Sequence, residues 1–302
     1  MATKKSKATA ISIASNTSLI LLKLIAGFIT GSVSLIAEAI HSVMDLIAAV
    51  VAFISVRISD NPADKKHQFG HGKAENISGV IEGILILVAA GMIVKEAINK
   101  IREGVHLELI EVGIAIMAIS IVVNILVSRY LYKVSKATDS LALEADATHL
   151  TSDVMTMAGV FIGLIVVRLT GLYILDPIVA IIVALMIVKA AIDIIRKSFG
   201  GIMDVSLPEL EQTAIESCLL EYSDRIVEFH KLRTRKAGSR RQIDVHLVIP
   251  KTARVDGAHN LCDHLETDIE KILPNAEIVI HVEPCISACT QCHIPCDLKK
   301  DE

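Results

Sequence analysis

Residues 33–57 read VSLIAEAIHSVMDLIAAVVAFISVR, an almost unbroken apolar run that carries a glutamate, a histidine and an aspartate in its first half. A helix needs about 20 mostly apolar residues to cross the hydrocarbon core of a bilayer. The run meets that length and therefore predicts a membrane-spanning helix. Ionisable side chains inside such a helix are energetically costly, which makes them candidate functional residues.

Five more apolar windows meet the same length criterion. Their approximate bounds are 11–30, 78–99, 109–132, 145–169 and 175–195. Of the 302 residues 52% are hydrophobic, yet only 3% are aromatic and tryptophan is absent, an aliphatic bias that a water-soluble core rarely needs. The sequence therefore predicts an α-helical membrane protein with a six-helix transmembrane bundle in the lipid bilayer.

Lysine and arginine residues cluster on one side of these windows. They are Lys4, Lys5, Lys7, Arg57, Lys65, Lys66, Lys73, Arg129, Lys133 and Lys136. Under the positive-inside rule they face the cytoplasm, and an even number of spans then places both termini there. The polar start of the chain has no convincing cleavage site, so the first segment is expected to stay as a helix. We expect a multi-pass protein of the cell (inner) membrane.

The chain changes character after the sixth window, at residues 204–212, DVSLPELEQ. The proline and the charges mark a domain boundary. From Leu207 onward the pattern is helix, strand, strand, helix and strand, which predicts a small α+β domain. We divide the chain into a transmembrane domain (1–205), a cytoplasmic α-β-β-α-β domain (206–284) and a cysteine-rich tail (285–302).

The second predicted strand, residues 240–250, alternates between apolar and polar side chains. Successive side chains of a strand point to opposite faces of a sheet. One face carries Ile243, Val245, Leu247 and Ile249, and the other carries Asp244 and His246. We expect the first face to be the core face.

Two of the apolar windows contain the same spacing of ionisable residues. The segment 38–45 is EAIHSVMD and the segment 146–153 is DATHLTSD. In each, an acidic residue precedes a histidine by three positions, and an aspartate follows the histidine by four. Residues four apart lie on one face of a helix, so each helix offers one imidazole and one carboxylate in the same direction. If these faces meet, they form a site with two nitrogen and two oxygen ligands, from His41, Asp45, His149 and Asp153.

A tetrahedral set of two histidines and two carboxylates suits Zn²⁺, whereas Mg²⁺ and Ca²⁺ prefer more oxygen ligands. An imidazole must be neutral to bind a metal and ordinarily titrates at about pH 6.5, so metal and protons compete. This predicts proton-coupled exchange of the metal. The alternative is that each residue only forms hydrogen bonds between helices. Glu38 and Asp146 stand three residues before the histidines and would be outer-shell residues, aqueous-entry residues or caps.

Four motifs in the same order resemble one known family. They are TGSVSLIAEAIHSVMD (30–45), NPADKKHQFGHGKAE (61–75), EADATHLTSDVM (144–155) and the stretch from HKLRTR (230–235) to HVEP (281–284). The chain resembles the cation diffusion facilitators, in particular the bacterial zinc-type members that exchange metal for protons. The resemblance extends almost to Pro284. It implies a homodimeric secondary transporter for Zn²⁺ efflux, which is not an enzyme.

The resemblance also implies three metal sites and one interlock. The transport site is His41, Asp45, His149 and Asp153, and a site in the loop between the second and third helices is Asp64, His67 and His71. A binuclear site in a metallochaperone-like dimerisation domain is His230, His246, His259, His281 and Glu283. Relatives often have aspartate where Glu283 stands. Lys73 and Asp204 match a charge interlock of the membrane dimer.

Four cysteines fall within twelve residues of the tail, CISACTQCHIPC at 285–296, which lies outside the family pattern. They are Cys285, Cys289, Cys292 and Cys296. The two interpretations are a flexible tail that gathers Zn²⁺ or a softer ion, and a disordered end without a role. Cys218 and Cys262 lie on predicted helices and are expected to be packed as small hydrophobic residues.

Two other function classes fit the sequence less well than transport does. An intramembrane metalloenzyme would keep an open metal position and a nearby general base, but four protein ligands leave no open position and there is no HExxH motif. A membrane-tethered metal sensor would leave the doubled membrane motif unexplained. A net charge of −4 argues against nucleic acid as a partner, and the absence of a Walker motif argues against an ATP-driven pump. Fe²⁺, Cd²⁺, Co²⁺ and Mn²⁺ remain alternative cargoes.

Overall fold

The computed structural model describes the backbone of residues 4–30, 33–103, 111–170 and 175–286. It describes the side chains of these residues except 26–41, 44, 96, 100, 103, 111–117, 160–170, 175–176 and 179. The chain folds as two compact units, Met1–Ile202 and Met203–Glu302.

Six long helices make up the first unit, which confirms the predicted bundle. They are α1 (Lys4–Thr30), α2 (Val33–Ser59), α3 (Lys73–Glu103), α4 (Glu111–Thr138), α5 (Leu141–Thr170) and α6 (Leu175–Ile202). Each is longer than the roughly 20 residues that a bilayer crossing requires. Over the described residues, three segments are long and apolar enough to span by themselves, Lys4–Ile25, Lys73–Asn99 and Ala118–Thr138.

Helix α5 is central in the first unit, since it packs against α2, α3, α4 and α6. Helices α3 and α6 form the most extensive pair. A Cβ atom added at Gly79 would lie 2.2 Å from Ser198 Oγ, and one at Gly83 would lie 2.4 Å from Ile195 Cγ1. Glycine at these positions therefore permits the close approach of the two helices, as small residues do in membrane helix pairs.

A fully buried carboxylate fixes the start of α3. Glu75 is 0% exposed and accepts hydrogen bonds from Lys5 Nζ (2.7 Å), Ser59 Oγ (2.8 Å) and Ser140 Oγ (2.6 Å). These donors come from α1, α2 and the turn between α4 and α5. The carboxylate charge is thereby balanced by an ammonium group and two hydroxyls, as a buried charge requires. These bonds therefore hold the end of the loop before α3, residues 60–72, in a fixed position.

The second unit is a three-stranded sheet with two helices. Its elements are α7 (Glu209–Glu221), β1 (Glu228–Ala237), β2 (Arg240–Ile249), α8 (Val255–Ile272) and β3 (Ala276–Pro284), and this order confirms the predicted α-β-β-α-β domain. The strand order is β1-β2-β3, with β1 and β2 antiparallel and β2 and β3 parallel. The helix α8 supplies the crossover that a parallel pair needs.

The two helices pack on one face of this sheet. Ile243, Val245 and Leu247 are at most 1% exposed and contact a cluster that includes Leu265 of α8. The predicted core face of β2 is therefore confirmed. Cys218 is 3% exposed in the same cluster, which agrees with its expected role as a small hydrophobic residue.

Candidate metal centres

Helices α2 and α5 bring three of the four predicted intramembrane ligands together. Ligand atoms of Asp45, His149 and Asp153 all lie within 4.8 Å of one another. His149 Nε2 is 3.2 Å from Asp45 Oδ1. His149 and Asp153 are four residues apart on α5, so the helix itself places both side chains on one face. The fourth predicted ligand, His41, lies on α2 one turn before Asp45, and its side chain is outside the described residues.

This group is shielded from solvent, which makes its charge balance important. The side chain of His149 is 5% exposed and that of Asp45 is 16% exposed. His149 Nδ1 is buried and has no hydrogen-bond partner among the described residues. Two carboxylates in a low-dielectric interior need a cation or protons to balance them. A divalent metal ion held between α2 and α5 would supply that balance.

Polar residues from two other helices surround the group. Asn16 Nδ2 on α1 donates a hydrogen bond of 3.3 Å to the backbone oxygen of Asp45. Glu82 on α3 is 0% exposed and accepts a hydrogen bond of 2.9 Å from Ser78 Oγ. Sequence analysis missed Glu82, although a glutamate inside the apolar window 78–99 was the available signal. Asp146 is also 0% exposed and is not one of the three converging ligands.

The loop between α2 and α3 forms a second group, from Asp64, His67 and His71, again within 4.8 Å. Asp64 Oδ1 is 3.4 Å from His67 Nδ1, and Asp64 Oδ2 is 3.4 Å from His71 Nε2. Gly70, with a φ of 79°, turns the chain between the two histidines in a conformation that favours glycine. All three residues predicted for the loop site therefore lie together.

Backbone donors hold the Asp64 carboxylate in place. Its Oδ1 atom accepts hydrogen bonds from the backbone N–H of His67 (2.6 Å) and of Lys66 (2.8 Å). Both bonds favour the charged form of the carboxyl group, and the bond from His67 has the larger effect. They lower the pKa of Asp64 below its ordinary value. The loop thus presents an ionised oxygen ligand beside two imidazoles.

The third group lies on the sheet face opposite α7 and α8. His230 of β1 pairs with His246 of β2, which pairs with His281 of β3, so three imidazoles form a row across the strands. A register irregularity follows His230, where Lys231 has a φ of 53°. Such bulges redirect side chains near functional sites. Glu283 follows His281 by two residues and therefore shares the same face.

Glu283 is the centre of the sheet group. Its Oε1 atom is 2.7 Å from His246 Nδ1, and its Oε2 atom is 3.3 Å from His230 Nε2. Ligand atoms of these three residues lie within 4.8 Å of one another. His281 Nε2 is 3.7 Å from Glu283 Oε1, at the edge of the group. His259 does not join it within the described part of this chain, since it lies on α8 next to Asp263 and its side chain is 72% exposed.

The predicted metal ligands of the cysteine tail lie mostly outside the described residues. Cys285 is half-buried at the end of β3, and its backbone N–H donates to Ile249 O at 2.9 Å. Cys289, Cys292 and Cys296 are outside the described range. The two interpretations of the tail therefore stay as predictions.

We expect metal binding by the sheet group to weaken in acid. The hydrogen bond with His246 lowers the pKa of Glu283 from its ordinary value of 4.5, so the carboxylate is charged at neutral pH and loses its charge only below that value. A metal ligand must be deprotonated, so a bound metal ion and protons compete for the same atoms. Zn²⁺ affinity, measured by competition with a chelating dye in the Asp64→Ala/Asp153→Ala protein, should therefore fall as the solution is acidified. An affinity that does not depend on pH would contradict this assignment.

Two family models match the chain over nearly all of its length. The model described as the cation efflux transmembrane domain matches residues 9–203, and the one described as the cation efflux protein, cytoplasmic domain, matches residues 207–285. The first match contains the intramembrane and loop groups, and the second contains the sheet group.

Individual proteins and one solved structure are also similar to this chain. An uncharacterized transporter of Synechocystis sp., sll1263, is 37% identical over 263 residues, which cover 87% of this chain and 85% of the relative. The cation-efflux pump FieF of Pectobacterium atrosepticum is 32% identical over 266 residues, 88% of each chain. A solved structure described as a proposed zinc transporter, CzrB, in its Zn form is 40% identical with a TM-score of 0.26, and covers 27% of this chain and 92% of that one.

Proposed function

Because the chain belongs to the cation efflux family, whose members transport divalent metal ions, we propose that it exports Zn²⁺ across the cell membrane in exchange for protons. The observation that supports this most strongly is the convergence of Asp45, His149 and Asp153 between two helices of the membrane unit. Each residue type can bind either a metal ion or a proton, so the same atoms serve both cargoes in turn.

The chemistry of the ligands supports Zn²⁺ as the cargo. Imidazole nitrogen together with carboxylate oxygen suits Zn²⁺, which has no geometric preference from its d electrons. His41 would complete a set of four by adding a second nitrogen from α2. A metal ion with a full set of protein ligands lacks the open position that hydrolytic chemistry needs.

Exchange would follow from alternating access. With the site open to the cytoplasm, Zn²⁺ replaces the protons on the ligand set, and the charge of the two carboxylates is balanced by the dication. After the bundle opens on the other side, protons from outside bind the same atoms and Zn²⁺ leaves. The outward direction and cytoplasmic termini are part of this proposal, supported by the distribution of lysine and arginine.

We assign the loop and sheet groups a regulatory role in a homodimer. The sheet group occupies a face that the unit's own helices leave uncovered, so Zn²⁺ in the cytoplasm would reach it directly. A membrane-tethered sensor would use the sheet group alone, and it is distinguished by the absence of flux.

The experiment is Zn²⁺ uptake into proteoliposomes that hold the purified full-length chain, with and without an imposed pH gradient. A Zn²⁺ dye and a pH dye inside the vesicles report both ions at once. We expect Zn²⁺ entry to be coupled to opposite proton movement and to be accelerated by the gradient. Zn²⁺ binding without flux would support the sensor, and flux that is insensitive to the gradient would exclude proton exchange.

A further inference from the structure

Helix α4 exposes a stripe that changes from apolar to basic toward the C-terminal end of the helix. Six exposed residues, three or four positions apart, make up the stripe. They are Ile119, Val122, Leu126, Arg129, Lys133 and Lys136. This spacing keeps all of them on one face of the helix. The opposite face, which includes Asn124 and Leu131, is buried. The stripe therefore points away from the interior of the bundle.

Helix α1 shows the same change, but from basic to apolar along the chain. Lys4 and Lys7 are exposed at its start. The same face continues through Ile11 and Ile25, which are 45% and 57% exposed. The sequence of α1 contains no acidic residue, and the single acidic residue of α4, Glu111, is at the end far from its basic residues. Both helices therefore have one basic end and an exposed apolar remainder.

The basic ends of α1 and α4 lie side by side. The two helices pack against each other, and Ala8 of α1 belongs to the same apolar cluster as Leu131 of α4. The exposed basic residues stand at most five positions from Ala8 or Leu131, which is roughly 8 Å along a helix axis. We call these five residues the basic patch; they are Lys4, Lys7, Arg129, Lys133 and Lys136.

The basic patch has no counter-charge within the part of the chain that the structure describes. None of its members forms an ion pair or a side-chain hydrogen bond with a described residue, and Asp139, which follows α4, binds none of them. Other lysines at this end of the bundle are paired, since Lys5 binds Glu75 and Lys197 binds Glu144. A group of unpaired cations creates a positive potential that attracts anions from the surroundings.

We propose that the basic patch binds the phosphate headgroup of an anionic phospholipid in the leaflet at the N-terminal end of α1. Both α1 and α4 contain a segment that can span a bilayer by itself, so their exposed apolar positions lie against lipid acyl chains. A phospholipid whose chains lie along these positions places its headgroup beside the basic patch. This inference goes beyond the proposed exchange of Zn²⁺ for protons and does not depend on it.

The side chains at this level suit a headgroup. Lysine and arginine can keep their apolar stems along the helix while their charged ends reach the phosphates. Tyr130, beside Arg129, is 39% exposed, and tyrosine is enriched where a membrane helix crosses the interface between lipid and water. A soluble anion such as inorganic phosphate would use the cations alone, whereas a phospholipid also covers the apolar part of both stripes. The continuity of the two parts therefore favours a lipid.

A lipid bound on the basic patch would contact two helices at once. Its phosphate can accept hydrogen bonds from lysines of α1 and from basic residues of α4. A general preference for basic residues at one membrane face requires no such grouping on neighbouring helices. The proposal therefore predicts selection of an anionic lipid at this place and not over the whole surface of the bundle.

The absence of tryptophan from the chain allows a direct measurement of which lipid lies against the stripe. Leu126→Trp places one fluorophore at a 63% exposed position, one turn from Arg129. The full-length protein is reconstituted in mixed vesicles of phosphatidylcholine and phosphatidylglycerol, with bromine on the acyl chains of one lipid or the other, because brominated chains quench a tryptophan that they touch. We expect phosphatidylglycerol to bind at least about fivefold more tightly than phosphatidylcholine at this position.

A second reporter tests whether the selection is local. Ile25→Trp lies on the exposed face of α1 at the other end of the stripe, far from the basic patch. The two lipids should quench this tryptophan with affinities within about twofold of each other. An equal preference for phosphatidylglycerol at both reporters would overturn a local site.

Charge removal tests the basic patch itself. In the Leu126→Trp protein, Arg129→Gln/Lys133→Gln/Lys136→Gln should bring the affinity ratio to within about twofold of one, because the anionic headgroup loses its cations. These residues have no partners in the described part of the chain, so the fold should be retained.

The matched control removes the same charge from exposed residues of the second unit, as Lys251→Gln/Arg254→Gln/Lys271→Gln. It should keep the preference for phosphatidylglycerol. A ratio near one in the protein with its natural basic patch, or an equal loss in both triple variants, would overturn the proposal. Loss of the preference when excess inorganic phosphate is added at constant ionic strength would also overturn it, because the basic patch would then bind a soluble anion.

Discussion

Zn²⁺ flux through proteoliposomes is expected to fall by about 100-fold when Asp153 is replaced by alanine, since removing one partner of a buried charge pair weakens binding by about 2–5 kcal/mol. The ligand atom of Asp153 lies within 4.8 Å of those of Asp45 and His149, so its loss leaves the dication with one carboxylate fewer. Asp45→Ala should have a similar effect, because the two carboxylates balance the same ion.

The matched control is Glu144→Gln on the same helix. Glu144 is an acidic residue of α5 that forms an ion pair with Lys197 and lies outside the converging group. Its replacement should leave Zn²⁺ flux within about twofold of the natural chain, because partly exposed ion pairs contribute little. If Asp153→Ala transports Zn²⁺ as well as Glu144→Gln does, the transport site has been assigned to the wrong residues.

Metal preference is expected to shift when His149 is replaced by aspartate. Imidazole suits Zn²⁺, whereas carboxylate ligands suit harder ions such as Mn²⁺. His149→Asp should therefore lower Zn²⁺ affinity by about 10–100-fold and lower Mn²⁺ affinity by less, so that the ratio of the two changes by at least about tenfold. Isothermal titration with each metal, together with competition in the flux assay, measures this ratio.

His264→Asp makes the same chemical change at an exposed residue of α8 that belongs to none of the three groups. It should leave both affinities unchanged. A Zn²⁺/Mn²⁺ ratio that responds equally to both replacements would mean that the imidazole of His149 does not determine selectivity.

Sequence reasoning predicted the six helices and the order of elements in the second unit because both depend on strong local signals. Long apolar runs define membrane helices, and alternation along residues 240–250 defines a half-buried strand. Both predictions are confirmed. The repeated spacing of His and Asp also identified residues whose ligand atoms lie together in the structure. Positions four apart share a face in any α-helix, so this prediction did not depend on the rest of the fold.

Features that depend on contacts between distant segments could not be predicted in the same way. The row of His230, His246 and His281 depends on strand register, and the irregularity after His230 leaves no clear mark in the sequence. The binding of Glu75 by Lys5 joins residues 70 positions apart. Residues such as Glu82 and Asn124 are polar positions in apolar windows, and only packing reveals which of them face the interior.

Zn²⁺ is expected to bind between α2 and α5 on its way through the membrane. Anomalous diffraction at the zinc absorption edge, from crystals of the full-length chain grown with Zn²⁺, locates the ion directly. We expect a peak within coordination distance of Asp45, His149 and Asp153, and we expect that peak to be lost in the Asp153→Ala protein. Peaks confined to the loop and sheet groups, with none between α2 and α5, would contradict it.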